Sequence, residues 1–131
     1  MKRRNRIVIF FIFFFIAFNL FAQSVENKDL TGRWMCYKKT LKNGETGENV
    51  TLNKKPFVPN MTLEFLDDNT LKVTEGAYTT EIKYLLRDNK VSFGNRKYLI
   101  EKITKNELIL LEIKDTFSDD FLYRRYLKKE V

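Results

Sequence analysis

Along residues 31–128, apolar and polar residues alternate in short runs that are separated by turn-forming clusters. Met61, Leu63 and Phe65 are apolar, with Thr62 and Glu64 between them. A period of two places such a set on one face of an extended strand. Leu71 and Val73 alternate in the same way with Lys72 and Thr74. Tyr78, Thr80, Ile82, Tyr84 and Leu86 share one face of a longer run, and Glu81, Lys83 and Arg87 take the other. Val91 and Phe93 mark a short strand, residues 97–104 and 107–114 two more, and residues 121–128 a last one. Residues 31–39 supply the first, so about eight strands follow one another with tight turns. Asp67-Asp68-Asn69, Gly76, Arg87-Asp88-Asn89-Lys90 and Gly94-Asn95 break them, residues suited to turns. No helix is expected after residue 22, and residues 23–29 read as a polar linker.

This succession predicts an all-β fold, an antiparallel up-and-down meander that closes into a small barrel of about eight strands. Closure removes the edge strands that invite aggregation. The alternation weakens at residues 99–103 and 108–113, where both faces carry apolar residues. Those strands are either covered on both sides or interrupted by a bulge. Residues 41–60 carry no periodic signal. A loop of that length is often a lid or a binding loop. Phe57 and Val58, held between Pro56 and Pro59, are expected to fold back on an apolar surface.

The N-terminus reads differently. Lys2, Arg3, Arg4 and Arg6 precede an unbroken apolar run from Ile7 to Phe18, and Leu20-Phe21-Ala22 offers a cleavage site. That order is the pattern of a secretory signal peptide. From Ile7 to Ala22 the segment is shorter than the roughly 20 residues of a spanning helix. The expected organisation is a signal peptide at 1–22 and one domain at 23–131, periplasmic or secreted, with no stable membrane span after cleavage.

Removing that segment changes the charge. It holds four of the 24 basic residues and none of the 17 acidic ones, so the net charge of +7 falls to +3. The remaining charges are interspersed and show no nucleic-acid footprint. Cys36 is the one cysteine and histidine is absent. An internal disulfide is thereby excluded, as is a Ser-His-Asp triad. A structural zinc site lacks ligands. Cys36 lies among Trp34, Met35 and Tyr37 and is expected to be a buried, inert thiol. The acidic pairs Asp67-Asp68 and Asp119-Asp120 read as turn chemistry, so no catalytic residue, metal or cofactor is expected.

Leu30-Thr31-Gly32-Arg33-Trp34 resembles the start of a lipocalin, where Gly-x-Trp opens the first strand soon after an exported N-terminus. The resemblance extends to the long loop at 41–60, the run of hairpins, and a late arginine in Tyr123-Arg124-Arg125-Tyr126. It is greatest to the small lipocalin-like domains exported by Bacteroidetes. Fatty-acid-binding barrels are a related alternative, since Arg124-x-Tyr126 is similar to their last strand. The lipocalin resemblance implies that Gly32, Trp34 and an arginine plug one barrel end, the cation lying on the tryptophan ring. Parity favours Arg125 inward and Arg124 outward, because Phe121, Tyr123, Arg125 and Leu127 share the more apolar face.

Two functions are expected to compete. One is a binding barrel for a small hydrophobic ligand, lined by Phe57, Tyr78, Ile82, Tyr84, Phe93 and Tyr98. The other is a filled barrel that acts through a protein partner in the cell envelope, with apolar residues near 100–113 as the contact surface.

Overall fold

The structure is a computed structural model that describes residues 24–114 and 122–130. The expected signal peptide and Phe121 lie outside the described residues. Eight strands form a closed antiparallel barrel: β1 (Gly32–Leu41), β2 (Thr62–Phe65), β3 (Thr70–Glu75), β4 (Tyr78–Arg87), β5 (Lys90–Phe93), β6 (Arg96–Ile103), β7 (Glu107–Glu112) and β8 (Tyr123–Lys129). Each pairs with its neighbour in sequence, and β8 returns to β1. The up-and-down meander expected from the period-two pattern is the architecture observed.

Turn chemistry sets the hairpins. Asp88 and Asn89 both take positive φ, 52° and 59°, between the paired residues Arg87 and Lys90. Two positive φ values in a two-residue loop match the right-handed twist of the flanking strands. Gly94, at φ 59°, does the same work alone at the β5–β6 turn.

Two bulges change which side chains face inward. In β1 the pairing with β8 slips between Cys36 and Lys38, so Trp34 and Cys36 face inward and Lys39 follows them. In β6 the slip falls between Ile100 and Lys102, so Ile103 joins Tyr98 and Ile100 on the inner face. A bulge adds one unpaired residue and so reverses the parity beyond it. The second bulge accounts for the two-sided apolar pattern at 99–103.

The lower end is closed by a short helix, α1 (Asn27–Leu30), where a polar linker was expected. Its first turn is held by Asp29, whose Oδ2 accepts from the Glu26 N–H at 2.9 Å. Leu30 is fully buried and forms the floor of the core. Two turn asparagines strap the segment down. Asn89 Oδ1 accepts from the Val25 N–H at 2.9 Å, and Asn69 Oδ1 accepts from Asn27 Nδ2 at 3.0 Å. Helical periodicity cannot announce one turn, and its single apolar residue left no pattern.

Above this floor the lower half is packed with Trp34, Leu63, Phe65, Leu71, Val91 and Leu108, all within 1% of full burial. At the upper end, residues 42–61 join β1 to β2. Phe57 N–H donates to Thr46 O at 2.8 Å, and the Phe57 ring meets Tyr123 edge-on at 5.3 Å. Phe57 thus folds back as expected, but Val58 points away and is 71% exposed.

Candidate functional site

The plug at the lower end differs in one partner from the sequence reading. Trp34 is fully buried, and its Nε1–H donates to Leu30 O at 2.8 Å. The cation on its ring is Lys129, with Nζ 5.3 Å from the centroid, and not Arg125 or Arg124. Register is the reason. Trp34 pairs with Lys129, whereas Arg125 lies four positions up β8, about 13 Å away at strand rise. Gly32 has φ 127°, and a Cβ there would stand 2.7 Å from Lys129 Cε. The glycine therefore supplies both the backbone conformation and the room through which the lysine stem reaches the tryptophan.

Arg124 and Arg125 separate as parity expects. Arg124 faces out and grips Glu101 with two nitrogens, Nε at 2.6 Å and Nη2 at 3.2 Å, while Nη1 donates to Lys42 O at 2.7 Å. Leu111, its register partner, is buried, so apolar residues on the outside of β7 are partly covered. Exposed large apolar residues lie elsewhere, at Met35, Tyr37, Tyr78 and Leu85 on the strands and at Val50, Leu52 and Val58 in the loop at 42–61.

Arg125 faces in and is 8% exposed. It belongs to a charged layer in the upper half of the barrel. Glu75 follows Leu71 and Val73 on the inner face of β3, Arg96 precedes Tyr98 and Ile100 on β6, and Glu112 follows Leu108 and Leu110 on β7. Glu75 and Arg96 form an ion pair across the mouth. Glu112 Oε1 is 2.9 Å from Lys114 Nζ. Lys39 stands opposite Arg125 in the β1–β8 register. Its Nζ lies 4.1 Å from the Tyr123 ring centroid and 5.7 Å from that of Phe57. Burial, and then the charge of Arg125, hold the Lys39 ammonium below its ordinary pKa, partly offset by Glu112.

Tyr98 joins the layer to the rest of the interior. Its ring stacks on Phe93 at 5.6 Å. Burial raises its phenol pKa, against the pull of Arg125 and Arg96. Cys36 lies on the other side of Arg125. Burial raises its thiol pKa, and Sγ donates to Lys38 O at 3.3 Å.

A cavity of about 240 Å³ opens beside Glu75 and Arg96 of this layer. Val73, Thr80, Ile82 and Phe93 form its wall, and Tyr78, Glu75, Arg96 and the Gly94-Asn95 turn form its rim. Three of the six expected ligand residues therefore line it: Tyr78, Ile82 and Phe93. Tyr78 stands at the lip and is 82% exposed. Tyr84 and Tyr98 are buried in the packed interior instead, and Phe57 closes over Tyr123 on the facing side. Glu75 and Arg96 went unselected, although they share the parity of the inward apolar residues.

These features define the class of protein: a small up-and-down barrel with a packed lower half, a plugged floor, and a charged upper half open to a cavity. The chain matches no protein-family model and no curated protein sequence.

Proposed function

We propose that this protein is an exported, lipocalin-like binding barrel that takes one small amphiphilic ligand at its upper end, and that it is not an enzyme. The observation that carries the reading is the split interior. A barrel of eight strands can be filled entirely by its own side chains, as the lower half is. The upper half instead turns Lys39, Glu75, Arg96, Glu112 and Arg125 inward, and Glu75 and Arg96 line a cavity there. Arg125 is buried, and buried charge is costly where an apolar residue of similar size would pack at least as well. Charge retained there suits recognition of something polar. The volume of about 240 Å³ lies below the roughly 300–1,000 Å³ of sites for drug-sized ligands, which points to a short molecule. The signal-peptide pattern of residues 1–22 supports export, and the Gly32-x-Trp34 start supports the lipocalin-like reading.

Native mass spectrometry of the protein purified from an exporting host tests this. A small adduct that dissociates on activation supports the reading. A protein that stays bare after incubation with short-chain amphiphiles overturns it and favours a filled barrel that acts through a protein partner.

A further inference from the structure

The upper part of β4 is paired on one side only. From Tyr78 to Lys83 it is joined to β3, in register from Glu75↔Tyr78 to Thr70↔Lys83. On its other side β5 pairs with residues 84–87 alone, and the chain then turns at Gly94-Asn95 into β6. The barrel closes through those lower residues, and the β3–β4 hairpin stands above the β5–β6 hairpin. Residues 78–83 therefore form a free strand edge, about 20 Å long at strand rise.

Parity decides which groups that edge presents. Tyr84 N–H donates to Asn69 O at 2.9 Å, on the β3 side. Backbone groups alternate sides along a strand, so Tyr78, Thr80 and Ile82 also turn theirs to β3. Thr79, Glu81 and Lys83 turn their N–H and C=O groups to the free side. Among the described residues, no strand pairs with them there, and no turn or loop hydrogen bond reaches them. All three are exposed, and so is Thr80, although its side chain has the inward parity. Such a row of unpaired donors and acceptors is a template for another strand.

A second observation indicates what that strand carries. The cavity of about 240 Å³ lies directly behind the edge: Tyr78, Thr80 and Ile82 are part of its lining, and Val73 and Phe93 complete its apolar wall. A strand laid antiparallel on β4 follows the line that β5 would take had it continued past Phe93. Its residues opposite Ile82 and Thr80 turn their side chains into the cavity, and the residue between them stands outside, opposite Glu81. Among the described residues Glu81 makes no ion pair. The Lys83 ammonium is already engaged, by Asp68 O at 2.7 Å and Thr70 Oγ1 at 3.1 Å.

We propose that the free edge of β4 binds an extended segment of a protein partner as an added antiparallel strand, with apolar residues at alternate positions facing the cavity and a basic residue between them facing Glu81. Main-chain hydrogen bonds to Thr79, Glu81 and Lys83 supply affinity, and the cavity selects the side chain. The inference goes beyond the small-ligand reading and does not depend on it, because the edge is unpaired whether or not the cavity is filled.

The probe is the capped peptide Thr-Ile-Lys-Leu-Thr, followed by amide chemical shifts and hydrogen exchange of the whole protein. In the free protein the amides of Thr79, Glu81 and Lys83 should exchange faster than those of Thr80 and Ile82, and the peptide should shift and protect the first three. Methylating the lysine nitrogen of the peptide, which faces β4, should weaken binding at least about tenfold, whereas methylating the leucine nitrogen, which faces away, should not. Glu81→Pro removes a donor that the barrel does not use, so the variant should fold and lose the peptide. No shift at the three amides with millimolar peptide, or equal loss from the two methylations, overturns the proposal and leaves the small-ligand reading standing. Protection of the three amides in the free protein, with the mass of a dimer by light scattering, also overturns it and gives the edge to a second copy of this chain.

Discussion

Trp34 anchors the lower end by three interactions at once: full burial, a hydrogen bond to Leu30 O, and the Lys129 ammonium over its ring. Trp34→Ala removes all three and leaves a cavity in the floor. It is expected to cost about 3–5 kcal/mol, read as a fall in Tm and in the denaturant midpoint. Tyr98 makes a different prediction. Burial raises its folded pKa above its ordinary value, so the neutral phenol is favoured by folding. Its contribution is complete below about pH 10 and is lost as pH rises through the folded pKa. Lys39 has the opposite sign, because its folded pKa is lowered and its penalty fades as pH rises toward its ordinary value. Stability measured upward from about pH 10 should therefore fall, and Tyr98→Phe should flatten that fall. An equal slope in the variant assigns the alkaline loss to other groups such as Tyr84, whose pKa burial also raises.

Among the elements, α1 and β1 matter most. α1 is too short to persist alone, so its stability comes from Leu30 in the core and from the asparagine straps. Asn89→Gly keeps the positive φ that the turn needs and deletes the acceptor for Val25. It should cost about 0.5–1.5 kcal/mol and speed hydrogen exchange at residues 25–30 more than in the strands. Exchange unchanged in that segment would show that the strap contributes nothing. The bulge in β1 serves the other end of the barrel, because it alone brings Lys39 to the inner face beside Arg125.

The described residues divide into a packed lower half and an upper half that holds the cavity, the ionic layer and the loop at 42–61. Filling the cavity should therefore affect binding far more than folding. Ile82→Trp projects a larger ring into the space beside Phe93 and Val73. Its Tm is expected to stay within a few degrees, and affinity for a short-chain amphiphile to drop at least about tenfold. A variant that binds as well as the parent places the ligand outside this cavity.

Much of this was legible in the chain itself. Period-two patterning and the Asp, Asn and Gly turns determined the strands, their order and the barrel, because side-chain alternation and turn conformation are local properties. The same parity, carried past the apolar residues, reaches Glu75, Arg96 and Glu112, so most of the ionic layer was written in the sequence although apolar selection passed over it. Parity also sufficed to turn Arg125 in and Arg124 out. What only the tertiary structure decided was register. The slip between Cys36 and Lys38 is invisible in composition and period, yet it sets Lys39 opposite Arg125 and leaves Lys129, not an arginine, above Trp34. The floor made by α1 was equally out of reach, since one helical turn has no periodicity and is held by side chains from turns far along the chain. Partners across a sheet are chosen by the closure of the whole barrel, and no window along one strand contains that choice.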